Sequence, residues 1–140
     1  MAGFIADASV ALSWCFEDEA TAWTESLLDR LGRGEPITVP AHWPLEVANA
    51  LLMAMRRGRV TLAKVEGFVE GLESLAIYIE PPLSPSRWLE VLAFAAKHKL
   101  TVYNAAYIDL ANRTRLPLAT LDEELVSAAL RENTPLLTRP

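Results

Sequence analysis

Three acidic residues, Asp7, Glu46 and Asp122, are the candidates for chemistry, and the charge of Glu46 is costly in its surroundings unless it is paired, binds a metal or reaches solvent. Asp7 and Asp122 each end a short apolar run, and Glu46 lies in the otherwise apolar or small stretch Pro44–Met55. Carboxylates that converge without a cation repel one another, so one of them must take up a proton or the group must bind a metal ion. If the three side chains meet, the sequence predicts a site for a divalent cation.

Polar residues accompany two of these acids. Thr120 and Asp122 are two residues apart, so both side chains point to the same side of a strand end. Asn49 lies one helical turn after Glu46, where its amide is expected to orient the carboxylate. Two of the acids also have a purely structural interpretation, because Asp7 can cap the next helix and Glu46 can complement a helix dipole.

No other catalytic group stands out. The sequence has one cysteine, Cys15, and two widely separated histidines, His42 and His98, so neither a Ser–His or Cys–His nucleophile pair nor a zinc site is apparent. We therefore expect water to be the attacking group. A lone cysteine also favours a reducing compartment.

The elements that must position the acids alternate between strand and helix. Strands are predicted at Phe4–Ala6, Ile37–Val39, Ile77–Ile79 and Leu116–Leu121, with an edge strand at Leu136–Leu137. Helices are predicted at Val10–Trp14, Ala20–Leu31, Pro44–Met55, Thr61–Ala76, Pro85–His98, Asn104–Arg113 and Glu123–Leu130. This alternation indicates an α/β fold with a parallel sheet and helices on both faces. Parallel strands end at one edge of the sheet, where Asp7 and Asp122 are expected to meet.

The helix that begins at Thr61 has an apolar seam. Its members, spaced by three and four residues, are Leu62, Val65, Val69, Leu72 and Ala76. Such a seam is suited to packing against a helix of this chain or of another chain.

Bulk properties limit the function further. The 140 residues predict one domain, 1–140, and the net charge of −5 argues against broad nonspecific affinity for nucleic acid, although a local basic rim is compatible with it. No apolar stretch is long enough to span a membrane. Asp7 interrupts the first apolar run and no basic residue precedes Arg30, so we expect no secretory signal and a cytoplasmic location.

Four segments, in this order and spacing, resemble the motifs of PIN domains, and most closely those of VapC-type toxins from toxin–antitoxin modules. They are Ile5–Ser9, Pro44–Leu51, Leu100–Tyr107 and Leu118–Asp122. The resemblance implies a PIN-like three-layer α/β/α architecture with a central parallel sheet of four to five strands. It also implies acids that bind Mg²⁺ or Mn²⁺ and hydrolyse RNA phosphodiester bonds, a homodimer, and a cognate antitoxin that covers the site.

The resemblance assigns roles to individual positions. The catalytic positions correspond to Asp7, Glu46, Asn104 and Asp122, with Asp7, Asp122 and Glu46 as metal ligands. The supporting positions correspond to Ser9, Asn49 and Thr120.

Asn104 departs from the family pattern, which has aspartate there. An amide oxygen carries no charge and is a poorer ligand for Mg²⁺, so the site loses one of four formal negative charges. We expect this loss to reduce the rate by roughly a hundredfold or more. Asp109 is no substitute, because five residues along a helix place it about 140° around the axis from Asn104. It is expected to face solvent or pair with Arg113.

Basic residues at predicted helix ends are candidate substrate contacts, although a role in complementing helix dipoles is an alternative for them. They are Arg56, Arg57, Arg59, Lys97, Lys99, Arg113 and Arg115. The four tryptophans are assigned to the core or to an interface rather than to base stacking.

Two competing functions follow from the sequence. Because of Asn104, the protein can be a catalytically impaired PIN-fold module that binds antitoxin or RNA without cleaving. A phosphotransfer domain of the receiver or haloacid dehalogenase type is disfavoured, since Ser9 stands where the second would need an aspartate, and the paired acids and late lysine of the first are missing.

Overall fold

The fold is built on a four-stranded parallel sheet, seen in a computed structural model that describes residues 2–138. Its strands are β1 (Phe4–Ala6), β2 (Ile37–Val39), β3 (Ile77–Ile79) and β4 (Leu118–Ala119), and their order across the sheet is β3-β2-β1-β4. Every neighbouring pair is parallel. The predicted parallel sheet is confirmed, and all four strands therefore end at one edge.

Seven α-helices flank this sheet in the described part of the chain. They are α1 (Ala8–Ser13), α2 (Ala22–Gly32), α3 (Trp43–Arg56), α4 (Leu62–Glu73), α5 (Pro85–His98), α6 (Val102–Thr114) and α7 (Glu123–Arg131). The predicted α/β class is confirmed. A short 3₁₀ turn at Glu17–Glu19 joins α1 to α2.

Strand β4 is shorter than predicted. It covers two residues rather than the stretch Leu116–Leu121, because Pro117 has no N–H for the ladder and Thr120 turns its hydroxyl onto other polar groups. The edge strand predicted at Leu136–Leu137 is reduced to a single parallel bridge between Leu118 and Leu136.

Helix α6 begins two residues earlier than predicted. Thr101 caps it, with its hydroxyl accepting a hydrogen bond from the backbone N–H of Asn104 at 3.1 Å. Asn104 therefore lies in the first turn of the helix rather than at its start.

The hydrophobic core is centred on β1. Phe4, Ile5 and Ala6 are fully buried, because β1 has a strand on each side and helices over both faces. A strand buried on both faces is apolar throughout and does not alternate with polar residues. Asp7 is the first polar residue after this strand, so its carboxylate lies at the boundary of the hydrophobic core.

Helix α4 packs only loosely on the rest of the chain. None of its residues is fully buried, and Leu62 and Val69 of the predicted seam are exposed. Between α3 and α4 lies an apolar groove of about 630 Å³, here called the α3–α4 groove. Its walls include Leu51, Leu52, Met55, Val65, Val69 and Leu72. The seam thus faces α3 in part and leaves apolar surface uncovered.

None of the helices between residues 2 and 138 is both long enough and apolar enough to cross a lipid bilayer.

Candidate active site

Asp7 is the most buried acid of the candidate site, with 5% of its surface exposed. Its Oδ1 accepts hydrogen bonds from the Ser9 hydroxyl at 2.5 Å and from the backbone N–H of Val10 at 3.3 Å. Its Oδ2 accepts one from the Thr120 hydroxyl at 2.5 Å. The bond from Val10 makes Asp7 the N-cap of α1, so the structural interpretation of this residue is correct.

Ser9 and Thr120 also tie Asp7 to the end of β4. The Ser9 hydroxyl accepts from the backbone N–H of Leu121 at 3.0 Å, and the Thr120 hydroxyl accepts from that of Asp122 at 2.9 Å. Each hydroxyl can donate only one proton, and in both cases the proton goes to Asp7. The two residues thereby fix the Asp7 carboxylate relative to a segment more than one hundred residues away.

Burial dominates the electrostatics of Asp7. It raises the pKa of the carboxyl from 3.8 to about 6, against the hydrogen bonds from Ser9, Thr120 and Val10, which lower it. The charge of Asp122 raises the Asp7 pKa further. Asp7 and Asp122 are therefore close enough to repel each other, as the parallel sheet predicts.

Asp122 is held by the start of α7. Its Oδ1 accepts from the backbone N–H groups of Glu124 at 2.9 Å and Leu125 at 3.3 Å. Its other oxygen, Oδ2, has no hydrogen-bond partner within the described residues, and neither Asp122 nor Asp7 has a basic partner there. One oxygen of Asp122 is left for a ligand.

Glu46 is half-buried in the first turn of α3, and two side chains approach it. The Tyr107 hydroxyl donates to its Oε1 at 2.6 Å, and His42 Nε2 lies 3.2 Å from the same oxygen. The His42 contact is an ion pair only when the imidazole is protonated. Burial raises the pKa of Glu46, but Tyr107 and His42 outweigh it, so the pKa lies below its usual value.

Tyr107 lies between the two halves of the site. Burial, and then the charge of Glu46, raise the pKa of its hydroxyl, and the charge of Asp7 raises it further. A hydrogen bond from the backbone N–H of Ala8, the residue after Asp7, lowers the pKa of the Tyr107 hydroxyl. The Tyr107 hydroxyl therefore contacts both Glu46 and the backbone of Ala8, and these contacts bring Glu46 toward the sheet edge where Asp7 lies.

The two asparagines of the predicted site form no side-chain hydrogen bond with its acids within residues 2–138. Asn104 is half-buried, and its side chain makes no hydrogen bond within residues 2–138. Asn49 is exposed on α3 and likewise forms no hydrogen bond with Glu46. Tyr107 occupies the supporting position that was expected for Asn49.

The predicted substrate-binding arginines are distant from the acids or already paired. Arg56 and Arg57 end α3, about 15 Å along the helix from Glu46. Arg59 pairs with Asp18 at 3.0 Å and with Glu19 at 3.2 Å. Physically, cations gather at the carboxyl end of a helix, whereas Glu46 lies at the amino end of α3.

Arg113 is also engaged. It pairs with Asp109 at 2.9 Å and lies 3.6 Å from Glu80, which confirms the predicted Asp109–Arg113 pair. Asp109 contacts Arg87 as well, at 2.5 Å. Lys97 and Lys99, in contrast, line a groove that also includes Glu123 and Glu124, the residues after Asp122.

The donor chemistry of the site fits a hard divalent cation. Its candidate ligands are carboxylate oxygens, and the buried Asp7 and adjacent Asp122 lack a compensating cation among the described residues. Within residues 2–138, no three His, Cys, Asp or Glu side chains are grouped closely enough to hold a metal together. Mg²⁺ does not require such a group, because it usually binds one or two carboxylates and keeps several waters.

Two residues of the site, Tyr107 and His42, were not predicted from the sequence. Tyr107 lies three residues after Asn104, and His42 lies four before Glu46, so both spacings place them on a helix face shared with a candidate residue. That spacing is the only local signal. Contact between Tyr107 and Glu46 depends on how α3 and α6 pack.

Comparison with known proteins identifies the family. The model of the PIN domain matches residues 4–131. Ribonuclease VapC3 of Pyrobaculum aerophilum is 27% identical over 136 residues, 97% of this chain and 98% of that protein. Exonuclease VapC9 of the same organism is 36% identical over 83 residues, 59% of each chain. The crystal structure of PAE2754 from P. aerophilum superimposes with a TM-score of 0.68 and 27% identity, covering 90% of this chain and 78% of that one.

Proposed function

This chain belongs to the PIN domain family, and from that premise we propose that it is the toxin of a toxin–antitoxin module, an endoribonuclease that hydrolyses RNA with Mg²⁺ or Mn²⁺. The names of two relatives, a VapC ribonuclease and a VapC exonuclease, support a nuclease. Four ordered sequence motifs and the parallel sheet support the same assignment.

One observation carries the proposal. Asp7 is buried at the carboxyl edge of the sheet, its pKa is raised to about 6, and the neighbouring charge is another carboxylate. Such an arrangement costs stability at neutral pH unless a cation compensates it. Two adjacent acids without a basic partner among the described residues are what a metal-dependent hydrolase needs.

Each residue has a distinct part in this scheme. Asp7 and Asp122 would hold the cation, and Glu46 would complete the site directly or through water. Ser9 and Thr120 keep the Asp7 carboxylate oriented by donating to its two oxygens. A bound divalent cation activates water and stabilises charge on the phosphate.

Asn104 weakens the enzyme in this proposal. It lies in the first turn of α6, three residues before Tyr107, and contributes an uncharged amide where the family has a carboxylate. The experiment is RNA cleavage by this chain and by Asn104→Asp, with Mg²⁺ and with Mn²⁺. We expect Asn104→Asp to be roughly a hundredfold faster, because the restored charge improves metal binding and transition-state stabilisation.

The control is Asp7→Asn in the Asn104→Asp background, which should abolish cleavage and so exclude a contaminating nuclease. Equal activity of the chain and of Asn104→Asp would contradict the charge argument. No cleavage by either protein would contradict the nuclease assignment.

The proposal includes two protein partners. We propose that a cognate antitoxin binds in the α3–α4 groove, which has a volume of about 630 Å³ and is mostly apolar. The second proposed partner is another copy of the chain, which forms a homodimer with it. The single cysteine, Cys15, is a buried free thiol, which suits action in the reducing cytoplasm.

A second candidate function rests on Asn104 itself. A PIN-fold module that retains its partners but lacks the fourth charge would bind antitoxin or RNA without cleaving. Binding of RNA by both proteins, with no cleavage by either, would favour this alternative.

A further inference from the structure

We propose that Tyr107 is a positioning residue that holds the Glu46 carboxylate on the Asp7 side of the site. The inference rests on the proposed function, because it assigns a role within the same acidic site. In the proposed function, Tyr107 touches neither the substrate nor the metal ion and acts only through Glu46.

The contact is short and specific. The Tyr107 hydroxyl donates its one proton to Glu46 Oε1 at 2.6 Å, and this hydrogen bond joins residues 61 positions apart. A hydrogen bond from a hydroxyl to a carboxylate is among the stronger ones in proteins. The backbone N–H of Ala8 approaches the same hydroxyl, so it lies between Glu46 and the residue that follows Asp7.

The hydroxyl is held by a rigid support. Tyr107 is 1% exposed and belongs to the main hydrophobic core. The His42 ring packs edge-on against its ring, with centroids 5.4 Å apart. A ring confined in this way cannot follow Glu46, so Glu46 must come to the hydroxyl.

Glu46, in contrast, is partly exposed and has one other side-chain contact within residues 2–138, with His42. A third of its side chain is exposed, and a glutamate has three rotatable bonds in its side chain. His42 Nε2 lies 3.2 Å from Glu46 Oε1, and this contact is an ion pair only when the imidazole is protonated. Without the Tyr107 hydroxyl, His42 is the remaining side-chain contact of the carboxylate in the described part of the chain, and the carboxylate can then turn toward solvent and away from Asp7.

The test is Tyr107→Phe, which removes one oxygen and keeps the ring in the core. The readout is Mn²⁺ affinity, measured by calorimetry or electron paramagnetic resonance without substrate. Residues that orient metal ligands typically change affinity by 10- to 100-fold when they are removed, so we expect a loss in that range. In the Asn104→Asp background, cleavage should fall by a similar factor.

The matched control is Tyr103→Phe, the same chemical change one helical turn earlier in α6. Tyr103 is exposed, and its hydroxyl makes no hydrogen bond within the described chain. This variant should bind Mn²⁺ as the parent does. Unchanged Mn²⁺ affinity in Tyr107→Phe, with its fold intact by circular dichroism, would overturn the proposal.

A crystal structure of metal-free Tyr107→Phe separates this inference from the proposed function. If the parent binds no Mn²⁺ and cleaves no RNA, the function fails, but the position of Glu46 still decides the role of Tyr107. A Glu46 carboxylate that turns to solvent in the variant supports the inference. A carboxylate that stays in place refutes it.

Discussion

At the scale of single residues, Asp7 combines two roles that the sequence presents as alternatives. Its Oδ1 caps helix α1 by accepting from Val10, and both of its oxygens accept from hydroxyls. A cap leaves lone pairs unused, since a carboxylate can accept about four hydrogen bonds. Capping therefore does not remove Asp7 from the candidate site, and it helps to fix the carboxylate there.

The raised pKa of Asp7 predicts how stability depends on pH in the metal-free protein. The folded-state pKa, about 6, lies above the unfolded value of 3.8, so the stabilising contribution is full below pH 3.8 and is lost as the pH rises through 6. This difference in pKa corresponds to about 3 kcal/mol. The side chain in Asp7→Asn carries no charge, so the unfolding free energy of this variant relative to the parent should rise by about 2.4 kcal/mol between pH 4 and pH 7.5, slightly less than the full difference because part of the effect is already present at pH 4.

Urea unfolding at both pH values measures this difference. Asp29→Asn, at an exposed position of α2, provides the baseline for replacing an aspartate elsewhere. If the advantage of Asp7→Asn is the same at both pH values, burial of the charge does not govern the behaviour of this residue.

At the scale of elements, β1 is the strand that aligns the site. It pairs with β2 through Phe4 and Ile37, and with β4 through Ile5 and Leu118. Gly3 precedes it with φ of +83°, and a Cβ there would lie 2.2 Å from the carbonyl oxygen of Pro36. Only glycine allows the chain to enter β1 this close to β2.

Gly3→Ala should therefore destabilise the protein by about 1–3 kcal/mol, because it adds both a backbone clash and a strained φ. Thermal or urea unfolding measures the loss. Gly32→Ala, at the end of α2, is the matched control, since its Cβ would meet nothing within 4 Å and its φ is not positive. We expect that variant to be neutral or slightly more stable. Equal effects of the two changes would show that entry into β1 is not constrained.

At the scale of the whole molecule, helix α5 presents a group of exposed apolar side chains. Trp88, Leu89 and Leu92 on α5 are each more than half exposed. The spacing of the three α5 residues gives them a common face. Contiguous apolar surface of this kind marks an interaction site. Of the tryptophans, Trp43 is buried in the core and Trp88 is the one placed for an interface.

A second copy of the chain is the expected occupant of this α5 face. Leu92→Glu should shift the protein from dimer to monomer, because a buried unpaired carboxylate is costly at an interface. Light scattering after size-exclusion chromatography at micromolar concentration measures the mass. Leu130→Glu, at an exposed position of α7, should leave the dimer intact. A parent protein that is already monomeric would contradict the prediction.

Much of the fold follows from local patterns. The alternation of short apolar runs with helical segments predicts a parallel sheet, because each strand and the helix after it are specified within a few tens of residues. That topology brings the ends of β1 and β4 together, so the proximity of Asp7 and Asp122 was predictable, as was the pairing of Asp109 with Arg113 at helical spacing. The two-residue length of β4 was not, because Thr120 leaves the strand to bond Asp7, a contact across 113 positions.

The sequence by itself determined the chemistry available to this protein, since the acids, the hydroxyls beside them and the uncharged Asn104 are matters of residue type and order. Tertiary structure alone decided which side chain holds Glu46 and which basic residues are already paired. The reason is that such contacts join different helices, and their geometry depends on how α3 and α6 pack over the sheet. Tyr107 meets Glu46, and Asn49 does not, because of that packing.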